Sequence, residues 1–164
     1  MPMKSMKKVN TNTIKEHYWE SPKGNFRAGS KNVSIELGRD PYSNDLLKRH
    51  PFDVEILRIP AGAVPYPFHS HSAQWEFYHV LSGKGQVRDD EGWTEIVEGD
   101  AFIFKPGENH QFKNDSDSDL IIYVIADNPV GESCYYPDSN KWNVPLPKRQ
   151  ILRSEALDYF DGEE

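Results

Sequence analysis

Between residues 51 and 127, hydrophobic and polar residues alternate in short runs separated by Gly, Pro, Asp and Asn. These runs are rich in β-branched and aromatic residues, and no long segment has the apolar period of a helix. Many short strands at close spacing favour an all-β fold, an antiparallel sandwich or barrel. The pattern predicts strands at 52–59, 75–82, 85–89, 93–98, 101–105, 110–114 and 119–127.

The chain on either side of this centre is less regular. Residues 1–50 are polar, with one short apolar alternation at 32–37 that is compatible with a strand. Residues 128–164 contain prolines, yet Tyr135, Tyr136 and Trp142 are too apolar for a free tail. We therefore predict an N-terminal arm over 1–50, a barrel over 51–127, and a C-terminal arm over 128–164 that packs on the barrel or on a partner subunit. A short helix with Ser154 as its N-cap is expected at 154–160.

Charge and composition limit the kinds of partner that the protein is expected to bind. The chain has 164 residues, which suits one domain of ordinary size, and a net charge of -7. An acidic protein repels nucleic acid and anionic membranes, so neither is an expected partner. No segment approaches the roughly 20 apolar residues that cross a bilayer. The single cysteine, Cys134, cannot form an intrachain disulfide, and the basic start lacks an apolar stretch; both favour a cytoplasmic location.

A pair of histidines gives the first chemical signal. His69 and His71 are two residues apart, so on a strand both side chains leave the same face. Two imidazoles in that arrangement can converge on one metal ion, although the pair alone does not prove it. Glu76 lies five positions beyond His71 and would point the other way on an unbroken strand. We therefore expect a turn or bulge at 72–74 that directs Glu76 inward.

The strand at 75–82 has two apolar faces. If Glu76 faces the interior, Tyr78 shares that face, while Phe77, His79 and Leu81 face outward. An apolar outer face favours a cover, either an arm or a second subunit. We predict a homodimer for this reason.

A third imidazole comes later in the chain. His110 follows a Pro106-Gly107 turn, opens a strand and shares a face with Phe112. A neighbouring strand can therefore deliver His110 to the same ion as the histidine pair.

These two segments resemble the paired motifs of the cupin superfamily. The first motif of that superfamily reads G-x5-H-x-H-x(3,4)-E-x6-G, and the second reads G-x5-P-x-G-x2-H-x3-N. Lys105 replaces the first proline of the second motif, and Gly62 sits one residue early in the first. The matching residues are His69, His71, Glu76 and Gly83, followed by Gly99, Gly107, His110 and Asn114.

The resemblance implies a double-stranded β-helix, a barrel of jelly-roll type. It also implies that His69, His71, Glu76 and His110 bind one divalent transition metal. The ligand types do not choose between Fe, Mn, Zn and Ni. No thiolate is expected nearby, which excludes a structural thiolate-zinc site.

Alternation along the strands offers further candidates for contact with a small-molecule substrate. Tyr78 shares the face of Glu76, and Phe112 shares the face of His110. Arg58 lies between apolar residues and can meet an anionic substrate inside the barrel; an exposed arginine paired with Glu55 or another acid is an equal alternative. No general acid or base is identifiable beyond the ligands.

Two functions fit these residues. The first is a metal-dependent enzyme acting on a small molecule, since the cupins that the chain resembles include dioxygenases, decarboxylases and sugar isomerases. The second is a non-catalytic barrel that binds a small ligand such as a sugar. The sequence does not separate them.

Overall fold

The computed structural model describes residues 6–145, 148–153 and 155–164. Two single-turn helices, α1 (Val33–Glu36) and α2 (Leu46–Arg49), lie in the N-terminal arm. The strands of the described residues are β1 (His17–Glu20), β2 (Arg27–Asn32), β3 (Phe52–Ile59), β4 (Ser70–His71), β5 (Glu76–Ser82), β6 (Lys84–Arg88), β7 (Trp93–Val97), β8 (Ala101–Phe104), β9 (Gln111–Lys113), β10 (Leu120–Asp127), β11 (Cys134–Tyr136), β12 (Lys141–Val144) and β13 (Gln150–Arg153).

The strands form two antiparallel layers. The first has the order β1-β2-β3-β10-β5-β8. The second consists of β13-β12-β11-β4 and β7-β6-β9, which are joined where His69 and His110 exchange backbone hydrogen bonds of 3.1 and 2.8 Å. This bridge places the histidine pair and His110 on adjacent strands of one layer.

The core lies between the two layers. Leu57 and Tyr78 enter it from the first layer, and Ile96 and Phe112 enter it from the second. All four are at most 3% exposed, and burial of side chains of this size stabilises the fold by about 1.5–3 kcal/mol each. The predicted all-β jelly-roll barrel is confirmed.

The predicted strands of the barrel also match the structure. All seven occur, and their ends lie within one residue of the predicted ones. Residues 72–75 form the connection that carries the chain from β4 in one layer to β5 in the other. Glu76 therefore approaches the histidines from the opposite layer, and a crossing between layers produces the inward direction that the spacing requires.

The N-terminal arm covers part of the outer face of the first layer. Ile14 and Val33 are buried there against Val54 of β3, with Tyr123 and Ile125 of β10 beside them. The prediction of a strand at 32–37 is wrong, because α1 occupies Val33–Glu36 and only Asn32, the end of β2, belongs to a strand.

Local hydrogen bonds explain this turn of helix. The Asn32 side chain accepts from the Ile35 amide at 3.1 Å and caps α1. Ser34 Oγ accepts from the Val54 amide at 2.7 Å and fixes the helix on β3. A capping asparagine therefore overrides the two-residue alternation.

The C-terminal arm extends the second layer, because β11 pairs with β4 and places Cys134 opposite His71.

The helix predicted at 154–160 is not formed. Ser154 lies outside the described residues, 155–158 have no regular structure, and turns follow. Residues 155–164 are exposed, so no packing surface stabilises so short a helix. No helix in the described parts of the chain is long and apolar enough to span a membrane. The arm boundaries at 50 and 127 stay predictions.

The residues that the structure describes leave the outer face of β5 uncovered. Phe77 and Leu81 are 36% and 40% exposed. Ile103 of β8, which is paired with Phe77, is 48% exposed. The N-terminal arm packs on β3 and β10 instead. The predicted cover of this face is therefore not supplied by the described residues of the chain itself.

Candidate metal centre

The structure brings His69, His71, Glu76 and His110 together. Their ligand atoms all lie within 4.8 Å of one another. Glu76 Oε2 is central to this cluster, at 2.9 Å from His110 Nε2 and 3.2 Å from His71 Nε2. Three imidazoles and one carboxylate at this separation can surround a single ion.

The outer nitrogen of each histidine is held by another group. His69 Nδ1 lies 3.0 Å from the carbonyl oxygen of Pro67, and His110 Nδ1 lies 3.3 Å from that of Glu108. His71 Nδ1 lies 3.2 Å from Glu132 Oε1. Contacts of this kind fix the ring orientation and leave the three Nε2 atoms for an ion.

Two properties of the cluster fit a metal. His71 Nε2 is buried and, despite its proximity to Glu76, makes no hydrogen bond of acceptable geometry. Burial, together with repulsion from His110, lowers the pKa of His69 to about 3, so this imidazole is neutral and can act as a ligand. A divalent ion would satisfy the unpaired nitrogen and the carboxylate at once.

Protonation also affects His71 and Glu76, where a proton would compete with a metal ion. Burial lowers the pKa of His71, but its contacts with Cys134, Glu132 and Glu76 outweigh burial and raise that pKa to about 12. Burial raises the pKa of Glu76, but the adjacent imidazoles of His110 and His71 outweigh burial and lower that pKa well below the usual range. Metal binding would therefore release a proton from His71.

Glu132, which the sequence analysis did not single out, holds the connection between the ligands. Its carboxylate accepts hydrogen bonds from the backbone amides of Ser72, Ala73 and Gln74 at 2.8–2.9 Å. Burial raises the pKa of Glu132, but the bond to His71 and these amides outweigh it and lower that pKa. Glu132 thus positions both His71 and the connection that leads to Glu76. Its only sequence signal is an acid in the irregular segment before β11.

Cys134 corrects one expectation from the sequence. Its Sγ lies 3.5 Å from His71 Nδ1, so a thiol is close to the site after all. His71, Glu132 and Cys134 form a second group that could hold an ion, on the opposite nitrogen of His71. Strand pairing between β11 and β4 brings the thiol here, and nothing in the local sequence indicates that pairing.

Two of the three predicted substrate contacts lie beside the cluster. The Tyr78 hydroxyl donates to Glu76 Oε2 at 2.8 Å and lies 3.2 Å from His110 Nε2. The Phe112 ring packs 4.9 Å from that of Tyr78 and is fully buried. Both residues therefore support the ligands from within the core, and contact with a substrate stays a prediction.

The structure does not bring Arg58 to the cluster. Arg58 lies on the outer face of β3, where its Nε donates to Glu16 at 2.7 Å and its Nη1 contacts Asp119 at 3.3 Å. This placement corrects the expectation of an inward guanidinium and matches the alternative, an arginine paired with an acid. The alternation along β3 is responsible, because Leu57 and Ile59 take the interior positions on either side of Arg58.

The sequence suggested Glu55 only as an exposed partner of Arg58, whereas the structure pairs Arg58 with Glu16 and places Glu55 inside the barrel. It shares the inward face of β3 with Leu57, and Val124 of β10 lies between it and Tyr78. Burial, followed by repulsion from Asp53, raises the pKa of Glu55 to about 7. A carboxyl group that is half ionised near neutral pH can both take and return a proton. Its signal in the sequence was an acid at an inward position of an apolar strand.

Similarity to known proteins agrees with this architecture. The family model described as cupin domain matches residues 55–126. No curated protein sequence is significantly similar to the chain.

Solved structures share the fold over more than the barrel. A candidate sugar phosphate isomerase from Acidithiobacillus ferrooxidans is 18% identical, with a TM-score of 0.75 over 90% of this chain and 92% of that one. A sugar phosphate isomerase from a cupin superfamily, from Silicibacter pomeroyi, is 23% identical, with a TM-score of 0.74 over 93% of this chain and 97% of that one.

A third structure matches mainly the barrel. It is a predicted oxalate decarboxylase from Thermotoga maritima, 19% identical, with a TM-score of 0.60 over 74% of this chain and 98% of that one. At these identities the likeness shows the fold alone. The family model identifies residues 55–126 as a cupin domain, and beyond that segment the likeness to solved structures extends to the fold alone.

Proposed function

We propose that the protein is a metal-dependent enzyme that isomerises a small sugar-like substrate. The observation that carries this proposal is the convergence of three imidazoles and one carboxylate within 4.8 Å, with the Nε2 atom of His71 unpartnered. His69, His71, Glu76 and His110 would hold one divalent ion. Bound there, the ion would polarise a carbonyl oxygen of the substrate.

The barrel also supplies a group that can move protons. In this proposal Glu55 would take a proton from one carbon and return it to the neighbouring carbon, so that no oxidant is consumed. Tyr78 holds Glu76 through a hydrogen bond of 2.8 Å and keeps the carboxylate directed at the histidines. The core around Tyr78 and Phe112 excludes water from this side of the cluster.

Isomerase activity is preferred to dioxygenase or decarboxylase activity for two reasons. Glu55 gives the site an acid–base group, which isomerisation needs. The structures named sugar phosphate isomerases also match the arms as well as the barrel, whereas the one named oxalate decarboxylase covers 74% of this chain.

The test combines metal content with turnover. Protein purified without added metal should contain about one equivalent of a divalent transition metal by elemental mass spectrometry. The loaded protein should interconvert an aldose–ketose pair in a screened panel, and it should do so without dioxygen. Turnover that consumes dioxygen or releases carbon dioxide would contradict isomerisation, and ligand binding without turnover would favour the non-catalytic barrel.

A second copy of the chain is the proposed cover of the outer face of β5. Phe77, Leu81 and Ile103 present an apolar surface there that the described residues leave exposed. Sedimentation velocity at micromolar concentration should give a dimer, and Phe77→Glu should convert it to monomer. A monomeric wild-type protein would contradict the proposal. The cytoplasmic location inferred from Cys134 stays a prediction.

A further inference from the structure

A cavity of about 410 Å³ borders His71. This volume is within the range that small ligands occupy in proteins. Three arginines and one acid supply the charged side chains of its walls apart from His71: Arg39, Arg49, Arg149 and Glu132. In a chain with a net charge of -7, such a wall is a local concentration of positive charge beside the candidate metal centre.

Arg39 is the most rigidly held of the three arginines. Its Nη1 donates to Asp53 and its Nη2 to Asn128, both at 2.8 Å, and its side chain is only 9% exposed. Asp53 compensates its charge. Its Nε is nevertheless buried and has no hydrogen-bond partner among the described residues.

Arg49 carries a charge that the described chain does not compensate. It ends α2, and its Nη2 donates to the carbonyl oxygen of Pro129 at 3.1 Å. No acid lies within salt-bridge distance of it in the described residues, and its Nε is buried without a partner. A partly buried guanidinium of this kind is stabilised by an anion.

Arg149, which is exposed, brings a second guanidinium group from the other end of the chain. It lines the cavity from the C-terminal arm and forms no ion pair within the described ranges. Glu132, the acid of the wall, is already engaged with the amides of residues 72–74 and with His71. Two guanidinium groups therefore remain for a ligand.

We propose that this cavity binds a phosphate group of the substrate through Arg49 and Arg149, with Arg39 contributing its free Nε–H. Guanidinium groups match phosphate oxygens in pairs of parallel hydrogen bonds, and a dianion balances both uncompensated charges. Of the four candidate ligands only His71 lines the cavity, so the rest of the substrate would have to pass His71 to reach the metal. The inference rests on the proposed function, because it gives the isomerase a phosphorylated sugar as its substrate class.

The test measures binding of inorganic phosphate by isothermal titration calorimetry at constant ionic strength, using metal-free full-length protein. Removing the metal ensures that heat does not arise from phosphate on the ion. Arg49→Gln should weaken phosphate binding about tenfold and Arg149→Gln about threefold to tenfold. Lys148→Gln is the matched control, since it removes the same charge next to Arg149 from a residue that does not line the cavity. It should change affinity less than twofold.

The outcomes separate this inference from the proposed function. Thermal unfolding of each variant first establishes that it folds like the wild type. Folded Arg49→Gln and Arg149→Gln proteins that bind phosphate as tightly as the wild type, or a wild type that binds none, would overturn the phosphate site and leave the metal centre intact. Arginine-dependent phosphate binding in a protein that takes up no metal would support the anion site and sink the proposed isomerase.

Discussion

The barrel and the two arms contribute to the candidate site in different ways. The barrel places His69, His71, Glu76 and His110 by strand alternation and by a bridge between adjacent strands. The arms add Arg49, Glu132 and Arg149 from a helix end and irregular segments. Under the proposed function, the regular framework would carry the metal chemistry and the surrounding segments would select the substrate.

The largest expected effect comes from removing ligands supplied by the barrel. A His71→Ala and His110→Ala double variant should lose bound metal and all activity, because two of the four ligands are gone. His79→Ala is the matched control, since His79 lies on the opposite face of β5 from Glu76. Elemental mass spectrometry measures the metal content of the double variant and the control, and circular dichroism shows whether both fold. Full metal retention in the folded double variant would contradict the ligand assignment.

The next effect concerns proton transfer within the barrel. Glu55→Gln should keep the metal but lower kcat by about 10²- to 10³-fold, because an amide cannot take up the proton. Wild-type activity should rise with pH through about 7, where Glu55 ionises. A pH–rate profile of both proteins measures this. An unchanged rate in the variant would remove Glu55 from the mechanism.

Glu55 also predicts a pH dependence of stability in the metal-free protein. Folded Glu55 keeps its proton up to about pH 7, whereas the unfolded chain releases it near the ordinary glutamate pKa of 4.5. The folded state therefore binds more protons in this window, and its free energy of unfolding falls as pH rises. The fall should reach up to about 3 kcal/mol and be absent in Glu55→Gln.

Urea unfolding at pH 4.5, 6 and 8 measures that slope. The groups that shift the Glu55 titration besides burial are Asp53, Ser30, Glu76 and Arg39. Parallel curves for the wild type and the variant would show that Glu55 titrates as an ordinary exposed acid.

A smaller effect measures how much the C-terminal arm contributes to metal affinity beyond the barrel. Glu132→Gln should weaken metal binding about tenfold to a hundredfold, because it loosens both His71 and the amides of residues 72–74. Glu98→Gln, an exposed carboxylate in the barrel, serves as the control. Metal titration against a fluorescent chelator distinguishes the two. Equal affinities would mean that the barrel alone organises the centre.

The smallest effect belongs to Arg58. Arg58→Gln should leave activity unchanged and lower stability by at most about 1 kcal/mol, because the ion pair with Glu16 is partly exposed. Activity assays and thermal unfolding check both values. A loss of activity in a folded variant would restore the interpretation of Arg58 as a substrate contact.

The sequence predicted the barrel well because its information is local. Alternation and turn residues located every strand from β5 to β10, and motif spacing brought together the four candidate ligands. Cys134 and Glu132 could not be found in this way, since their proximity to His71 depends on the pairing of β11 with β4. Helix α1 was not predicted because the apolar alternation at 32–37 indicates a strand, whereas the Asn32 side chain caps a helical turn there.

The most direct test is a crystal structure of the manganese-loaded protein soaked with phosphate, with the metal located by anomalous scattering. One peak is expected at about 2.0–2.3 Å from His69, His71, Glu76 and His110, with a phosphate between Arg49 and Arg149. A peak among His71, Glu132 and Cys134 instead, or phosphate absent from the arginine cavity, would contradict the division of roles between barrel and arms.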